Sequence, residues 1–151
     1  MKNFKVVLTA LALFVSSVAM AIPEESVAPN VVSAFRTAYV GAKSVKWDKV
    51  GAFYFVTFVI DNREVNVSYN EAGEIVGSSE MITFNEVPVV TQISLREQFG
   101  GYTLSPQVYR VSGNGETVYY VTAVNEKRSL KLKCDSEGAI SILQRTKLAK
   151  Q

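Results

Sequence analysis

Residues 54–75 can be laid on residues 119–140 without a gap, each position 65 from its partner. Seven of the 22 pairs are identical: Tyr54 with Tyr119, Val56 with Val121, Thr57 with Thr122, Val59 with Val124, Arg63 with Arg128, Gly73 with Gly138 and Ile75 with Ile140. Unrelated segments would share roughly one or two, so the chain carries an internal duplication. Phe55 with Tyr120, Val65 with Leu130, Val67 with Leu132 and Asn70 with Asp135 keep their character as well. A chain of this length that repeats itself once must build one small unit twice.

Both halves open on a proline followed by apolar residues at helical spacing. Pro29 leads into Val31, Phe35, Ala38 and Tyr39, and Pro88 into Val89, Val90, Ile93, Leu95 and Phe99. Gly41 and the pair Gly100-Gly101 mark where each helix stops. Beyond them the apolar period becomes two, the period of strands. The strands read as 44–50, 53–60, 63–69 and 74–78, then 107–112, 117–124, 129–134 and 139–143. Asn70-Glu71-Ala72-Gly73 and Asp135-Ser136-Glu137-Gly138 are turns, with glycine free to take positive φ and Asn or Asp able to bond the local backbone. The fold class is α+β, a tandem repeat of one helix plus a four-strand antiparallel meander, with repeats at 22–83 and 84–151 sharing one compact unit.

Turn positions set the strand register. A two-residue loop at Asp61-Asn62 puts Phe58 opposite Val65, Val56 opposite Val67 and Tyr54 opposite Tyr69. A loop at Glu126-Lys127 puts Ala123 opposite Leu130, Val121 opposite Leu132 and Tyr119 opposite Cys134. These apolar pairs form the face a helix would cover, and Cys134 joins them as a small buried thiol rather than a nucleophile. The other face is mixed. It carries Phe53, Phe55, Thr57 and Val59 beside Glu64, Asn66, Ser68 and Asn70, and Val118, Tyr120, Thr122 and Val124 beside Ser129, Lys131, Lys133 and Asp135. Aromatics among polar groups are typical of surfaces that bind proteins. Phe53, Phe55, Thr57, Tyr120, Thr122, Lys131 and Lys133 are therefore the candidate partner-binding residues, set against strand propensity as the plainer explanation of the aromatics.

The first residues, Met-Lys-Asn-Phe-Lys, make a short basic start to the apolar run Val6–Val15, which ends in Ala19-Met20-Ala21. This is the pattern of a cleavable signal peptide over residues 1–21, giving a mature chain from Ile22. The run is too short for a membrane span, and no later stretch approaches the required length. With no cysteine beside the cleavage site, no lipid anchor is expected. Localisation is thus periplasmic or secreted, without membrane insertion after cleavage. Loss of Lys2 and Lys5 leaves 14 basic against 14 acidic residues, and this neutral product gives no reason to expect nucleic acid as a partner.

The chain has no histidine, which removes Ser-His and Cys-His nucleophiles, His-ligated zinc and the commonest general base. Glu24-Glu25 and Glu71/Glu74 sit at a terminus and a turn, where solvation accounts for them, and neither turn has the ligand spacing of a calcium loop. No catalytic residue, metal ligand or cofactor site is expected.

The first half runs Val31-Val32-x-x-Phe35-x-x-x-Tyr39, Val45-x-Trp47, Tyr54-x-Val56-x-Phe58, then Val65-x-Val67-x-Tyr69-Asn70-x-x-Gly73. This order resembles the PepSY-like, or beta-lactamase-inhibitor-like, family of small secreted bacterial proteins. The second half departs from it, with Val108 or Tyr109 where Trp47 would repeat and Cys134 for Tyr69. The resemblance implies two helix-plus-four-strand repeats whose sheets join into one curved sheet with helices on one side. It also implies an open face that, in the inhibitor for which the family is named, grips an enzyme. The expected function is a non-catalytic binding or inhibitor-like protein whose open face engages an envelope or secreted protein. A small molecule, peptide or glycan on that face is the alternative. N-terminal sequencing of the exported product should read from Ile22, and an intact Met1 would refute export by this route.

Overall fold

A computed structural model describes residues 21–149. The segment read as a signal peptide lies outside them, apart from Ala21. The first half supplies strand β1 (Ala21–Ile22), a 3-10 turn (Glu24–Ser26), helix α1 (Pro29–Ala38) and strands β2 (Lys43–Val50), β3 (Phe53–Ile60), β4 (Arg63–Asn70) and β5 (Ile75–Thr83). The second supplies a 3-10 turn (Phe84–Glu86), helix α2 (Val89–Gln98) and strands β6 (Thr103–Leu104), β7 (Gln107–Gly113), β8 (Glu116–Val124), β9 (Arg128–Asp135) and β10 (Ile140–Lys147). The strands form one ten-strand sheet in the order β1-β2-β3-β4-β5-β7-β8-β9-β10, with β6 pairing beside β8. The expected α+β fold of two helix-and-meander repeats is what the chain adopts.

The chain divides into two compact units, 21–80 with 111–115 and 81–110 with 116–149, so β5 and β7 each pass from one unit into the other. In the first unit, α1 buries Val31 and Phe35. Phe35 packs edge-on to Trp47 at 5.3 Å and to Phe58 at 5.1 Å, while Tyr39 lies 4.7 Å from Phe58. Val27, Tyr54, Val56, Val67 and Tyr69 complete this core. In the second unit, Leu95 and Phe99 meet Val108, Tyr119, Val121, Ala123, Leu130, Leu132 and Cys134. Each large side chain buried here contributes about 1.5–3 kcal/mol, so the two cores carry the fold with no disulfide.

The expected registers hold at every named pair. Strands β3 and β4 set Phe58 against Val65, Val56 against Val67 and Tyr54 against Tyr69. Strands β8 and β9 set Ala123 against Leu130, Val121 against Leu132 and Tyr119 against Cys134. Asp61 and Asn62 both take positive φ, 50° and 61°, the conformation a two-residue hairpin turn needs to match strand twist.

Several boundaries differ from expectation. Strand β5 continues past Ser78 to Thr83, and β10 past Leu143 to Lys147, because Ser79, Gln144 and Thr146 extend the ladder although their polarity hides the alternation. The short strands β1 and β6 leave no pattern of their own. The two prolines also occupy different positions. Pro29 is the first residue of α1, whereas Pro88 is the N-cap of α2, so the helices repeat at 60 residues and the meanders at 65. The added five residues lie between α2 and β8.

Both repeats close on the same contact. Asn70 Oδ1 accepts from the backbone N–H groups of Ala72 and Glu74, and Asp135 Oδ1 from those of Glu137 and Ala139. Gly73 and Gly138 then hold φ of 81° and 93° with their Cα atoms against a helix. A Cβ at Gly73 would stand 3.1 Å from the Asn30 carbonyl oxygen, and one at Gly138 would stand 2.7 Å from Ser94 Oγ and 3.1 Å from Val90 Cγ1. Gly115, at φ 79°, has nothing within 4 Å of the same position. Alanine at Gly115 should cost about 1–2 kcal/mol of backbone strain. At Gly73 or Gly138 it should cost roughly a further 1–3 kcal/mol for crowding against the helix. Thermal unfolding of the three variants should rank them so, and equal losses would show that the turns do not rest on the helices.

Candidate functional site

Side chains alternate along a strand, so fixing the helix-covered face fixes the opposite one. In the first unit that opposite face is centred on β3 and β4. Phe53, Thr57 and Val59 are half-buried, whereas Phe55 is only 1% exposed although it stands outside the helix-covered core. Phe55 is thus buried on this face, where Phe53 beside it is not. Beside it Asn66 donates from Nδ2 to Thr57 Oγ1 at 2.8 Å, and Ser68 donates from Oγ to the Gly77 carbonyl at 3.2 Å. Asn66 Oδ1 is buried with no hydrogen-bond partner among the described residues, a costly state for an amide oxygen.

Strand β2 brings residues to this face that the sequence reading did not place there. Its register with β3 sets Asp48 opposite Phe55 and Lys46 opposite Thr57. The turn at Gly51-Ala52 was the available signal, since the same counting from a two-residue loop would have found them. Ser79 of β5 joins through its pairing with Asn66, and both are buried. Burial raises the Asp48 carboxyl above its ordinary value of 3.8, partly opposed by the nearby Lys46 ammonium. The first face therefore sets aromatic rings among hydroxyl, amide, carboxyl and ammonium groups.

In the second unit the corresponding face carries Val118, Tyr120 and Thr122 on β8, with Ser129, Lys131, Lys133 and Asp135 on β9. Val118 is buried, Tyr120, Thr122 and Lys133 are half-buried, and Lys131 is exposed. Burial raises the Tyr120 phenol, so it stays a neutral hydrogen-bonding group at physiological pH. Within each unit the expected residues share a face: Phe53, Phe55 and Thr57 in the first, Tyr120, Thr122, Lys131 and Lys133 in the second. The two faces differ in charge. The first holds Asp48 and Glu64 with Lys46, and the second holds Lys131 and Lys133 with Asp135.

Cys134 belongs to neither face. It is fully buried, and burial, with the Asp135 carboxylate adding to it, pushes the thiol up to about 12. A thiol so held is not a nucleophile at neutral pH. Among the described residues no group of three or more Cys, Asp and Glu side chains converges on a point that could hold a metal ion. Groups able to make hydrogen bonds and apolar contacts to another molecule are what the faces offer.

Three crystal structures from Bacteroides share this fold. A protein of Bacteroides eggerthii, provisionally described as periplasmic, superposes with a TM-score of 0.67 at 17% identity, covering 80% of this chain and 88% of its own. A DUF2874 family protein of Bacteroides ovatus gives a TM-score of 0.67 at 16% identity, covering 81% and 88%. A BLIP-like protein of Bacteroides fragilis gives 0.64 at 17% identity, covering 86% and 90%. At these identities the likeness is one of fold, and at that level it bears out the inhibitor-like resemblance read from the residues. No family model matches the chain, and no curated protein matches it in sequence.

Ionising Asp48 inside the fold costs stability. As pH rises past 3.8 the native state keeps this proton longer than the unfolded chain, so stability falls across that window and stays lower above it. Asp48→Asn should therefore melt higher than the parent at pH 7, with the gain shrinking as pH falls toward 3.8. A gain that did not change with pH would assign the effect to something other than the carboxyl.

Proposed function

With a BLIP-like fold as the premise, we propose that this chain is an exported, non-catalytic, inhibitor-like protein that engages a protein partner through the uncovered faces of its sheet. The observation that carries this reading is the make-up of the face in the second unit. A neutral, half-buried Tyr120 stands among Thr122, Ser129, Lys131 and Lys133 on a strand pair whose other side is packed against helix α2. Tyrosine in such a setting presents a rigid, amphipathic surface at small cost in side-chain entropy, which is why it recurs at the centres of protein interfaces. In the first unit Phe53 and Thr57 present the same mixture above the buried Phe55 ring.

The resemblance to secreted inhibitors and the provisional description of the B. eggerthii protein both support a periplasmic setting for this activity. The alternative is a small molecule, peptide or glycan held on the same faces. Thermal shift separates the readings, because a small ligand present well above its Kd raises the melting temperature by mass action.

A photo-crosslinking side chain placed at Tyr120 or at Lys133 in intact exporting cells should yield a discrete heavier product. The same group at Val89, an exposed position on α2, should not. Products from Val89 with none from Tyr120 or Lys133 would overturn the assignment of the face.

A further inference from the structure

Strand β10 ends the strand order, so among the described residues its outer edge has no partner. Its equivalent in the first repeat, β5, is flanked by β4 and β7. The second repeat therefore presents at its edge a full-length strand of a kind that is paired on both sides in the first. From Ser141 to Lys147 every residue of β10 is exposed. Long exposed edges pair readily with another extended chain, and β10 is guarded against indiscriminate pairing by the irregularity between Ile142 and Gln144 and by the charges of Arg145 and Lys147.

The backbone groups turned outward can be identified. The Leu148 N–H bonds the Lys127 carbonyl at 3.0 Å, and the register continues as Lys147 with Arg128, Thr146 with Ser129, Arg145 with Leu130 and Gln144 with Lys131. Bonded and non-bonded pairs alternate along an antiparallel ladder. Thr146 and Gln144 therefore bond inward to β9, while Arg145 and Lys147 turn their N–H and C=O groups to the open edge.

Charge selects what could pair there. Lys147 stands directly opposite Arg128, a like-charge pair that destabilises a ladder. Among the described residues no carboxylate forms an ion pair with Arg128, Arg145 or Lys147. A strand laid against β10 would set residues of its own opposite Arg145 and Lys147, two apart and on one side. A second copy of β10 would bring further arginine and lysine to a strand already carrying both.

We propose that the β10 edge receives an extended acidic peptide by strand addition. Main-chain hydrogen bonds form at Arg145 and Lys147, and carboxylates at alternate positions of the incoming strand neutralise those two residues and Arg128. This is a second interaction surface, separate from the uncovered faces.

The probe is a capped seven-residue peptide alternating valine and glutamate, titrated into the mature chain while amide hydrogen exchange is followed by NMR. The Arg145 and Lys147 amides should exchange fast in the free protein and slow on binding, and affinity should fall as salt is raised. Arg145→Glu with Lys147→Glu should weaken binding at least about tenfold, as should N-methylation of the peptide's glutamates, which keeps its charge but removes the edge donors. Tyr120→Ser should leave binding unchanged. Equal binding of the N-methylated peptide would reduce the edge to a basic patch and overturn the proposal. So would loss of binding in Tyr120→Ser, or protection of the two amides by dimer formation without peptide.

Discussion

Each helix of this protein is held to its sheet at a turn, and the rest of the architecture follows from that seating. In the first repeat Asn30 Nδ2 donates to the Glu71 carbonyl at 2.9 Å, beside a glycine whose Cα approaches the Asn30 backbone. In the second, Thr91 Oγ1 donates to the Asp135 carbonyl at 2.8 Å, beside a glycine that approaches Val90 and Ser94. The turn lies between the last two strands of each meander, and the helix precedes the first. Tying them together closes the repeat and decides which side of the sheet is dry. Because strand side chains alternate, the side left open is decided at the same moment.

The duplication kept this frame while the cores diverged. The first core is aromatic: Phe35, Tyr39, Trp47, Phe58 and Tyr69 crowd beneath α1. In the second, Leu95 stands for Phe35, Ala123 for Phe58 and Cys134 for Tyr69, which together remove much ring volume. Leu130 and Leu132 replace two valines, and Phe84, Tyr102, Leu104 and Ile140 pack in from the margins. Interiors tolerate such exchanges when the total volume is kept. The Tyr69 hydroxyl is buried without a hydrogen-bond partner among the described residues, and burial pushes it up to about 12. Cysteine fills the slot with no oxygen to satisfy.

What could be read from the chain was whatever local geometry enforces. Two-residue turns at Asp61-Asn62 and Glu126-Lys127 propagate a register by counting, so the covered pairs and the membership of each open face are legible in the sequence. Depth is not. Phe55 and Tyr120 are equivalent by sequence, yet Phe55 is 1% exposed and Tyr120 half-buried, since counting along a strand gives the side a residue faces and not how deeply it is covered. Asp48 was legible in principle but carried no apolar signal to direct attention to β2. The far ends of β5 and β10 were missed because serine, glutamine and threonine pair in a ladder without showing alternation. The 60-residue helix offset was hidden by two prolines that look equivalent and are not.

The near balance of charge over residues 21–149, 13 basic against 14 acidic side chains, conceals an uneven distribution. Residues 21–80 with 111–115 hold five basic and eight acidic side chains, while 81–110 with 116–149 hold eight basic and six acidic. The excess in the second unit collects at its last hairpin, where Lys127, Arg128, Lys131, Lys133, Arg145 and Lys147 lie on or beside β9 and β10 with Glu126, Asp135 and Glu137 as their acidic neighbours. Duplication alone does not produce this pattern. The first-repeat equivalents of Lys127, Lys131 and Lys133 are Asn62, Asn66 and Ser68, all neutral. The two repeats thus share a frame that needs no charge at these positions, and the second carries positive charge on the uncovered face of β9 and along β10 beside it. Like charges set side by side lower the stability of the strands that carry them, and a negatively charged partner is the one kind of neighbour that turns that cost into affinity.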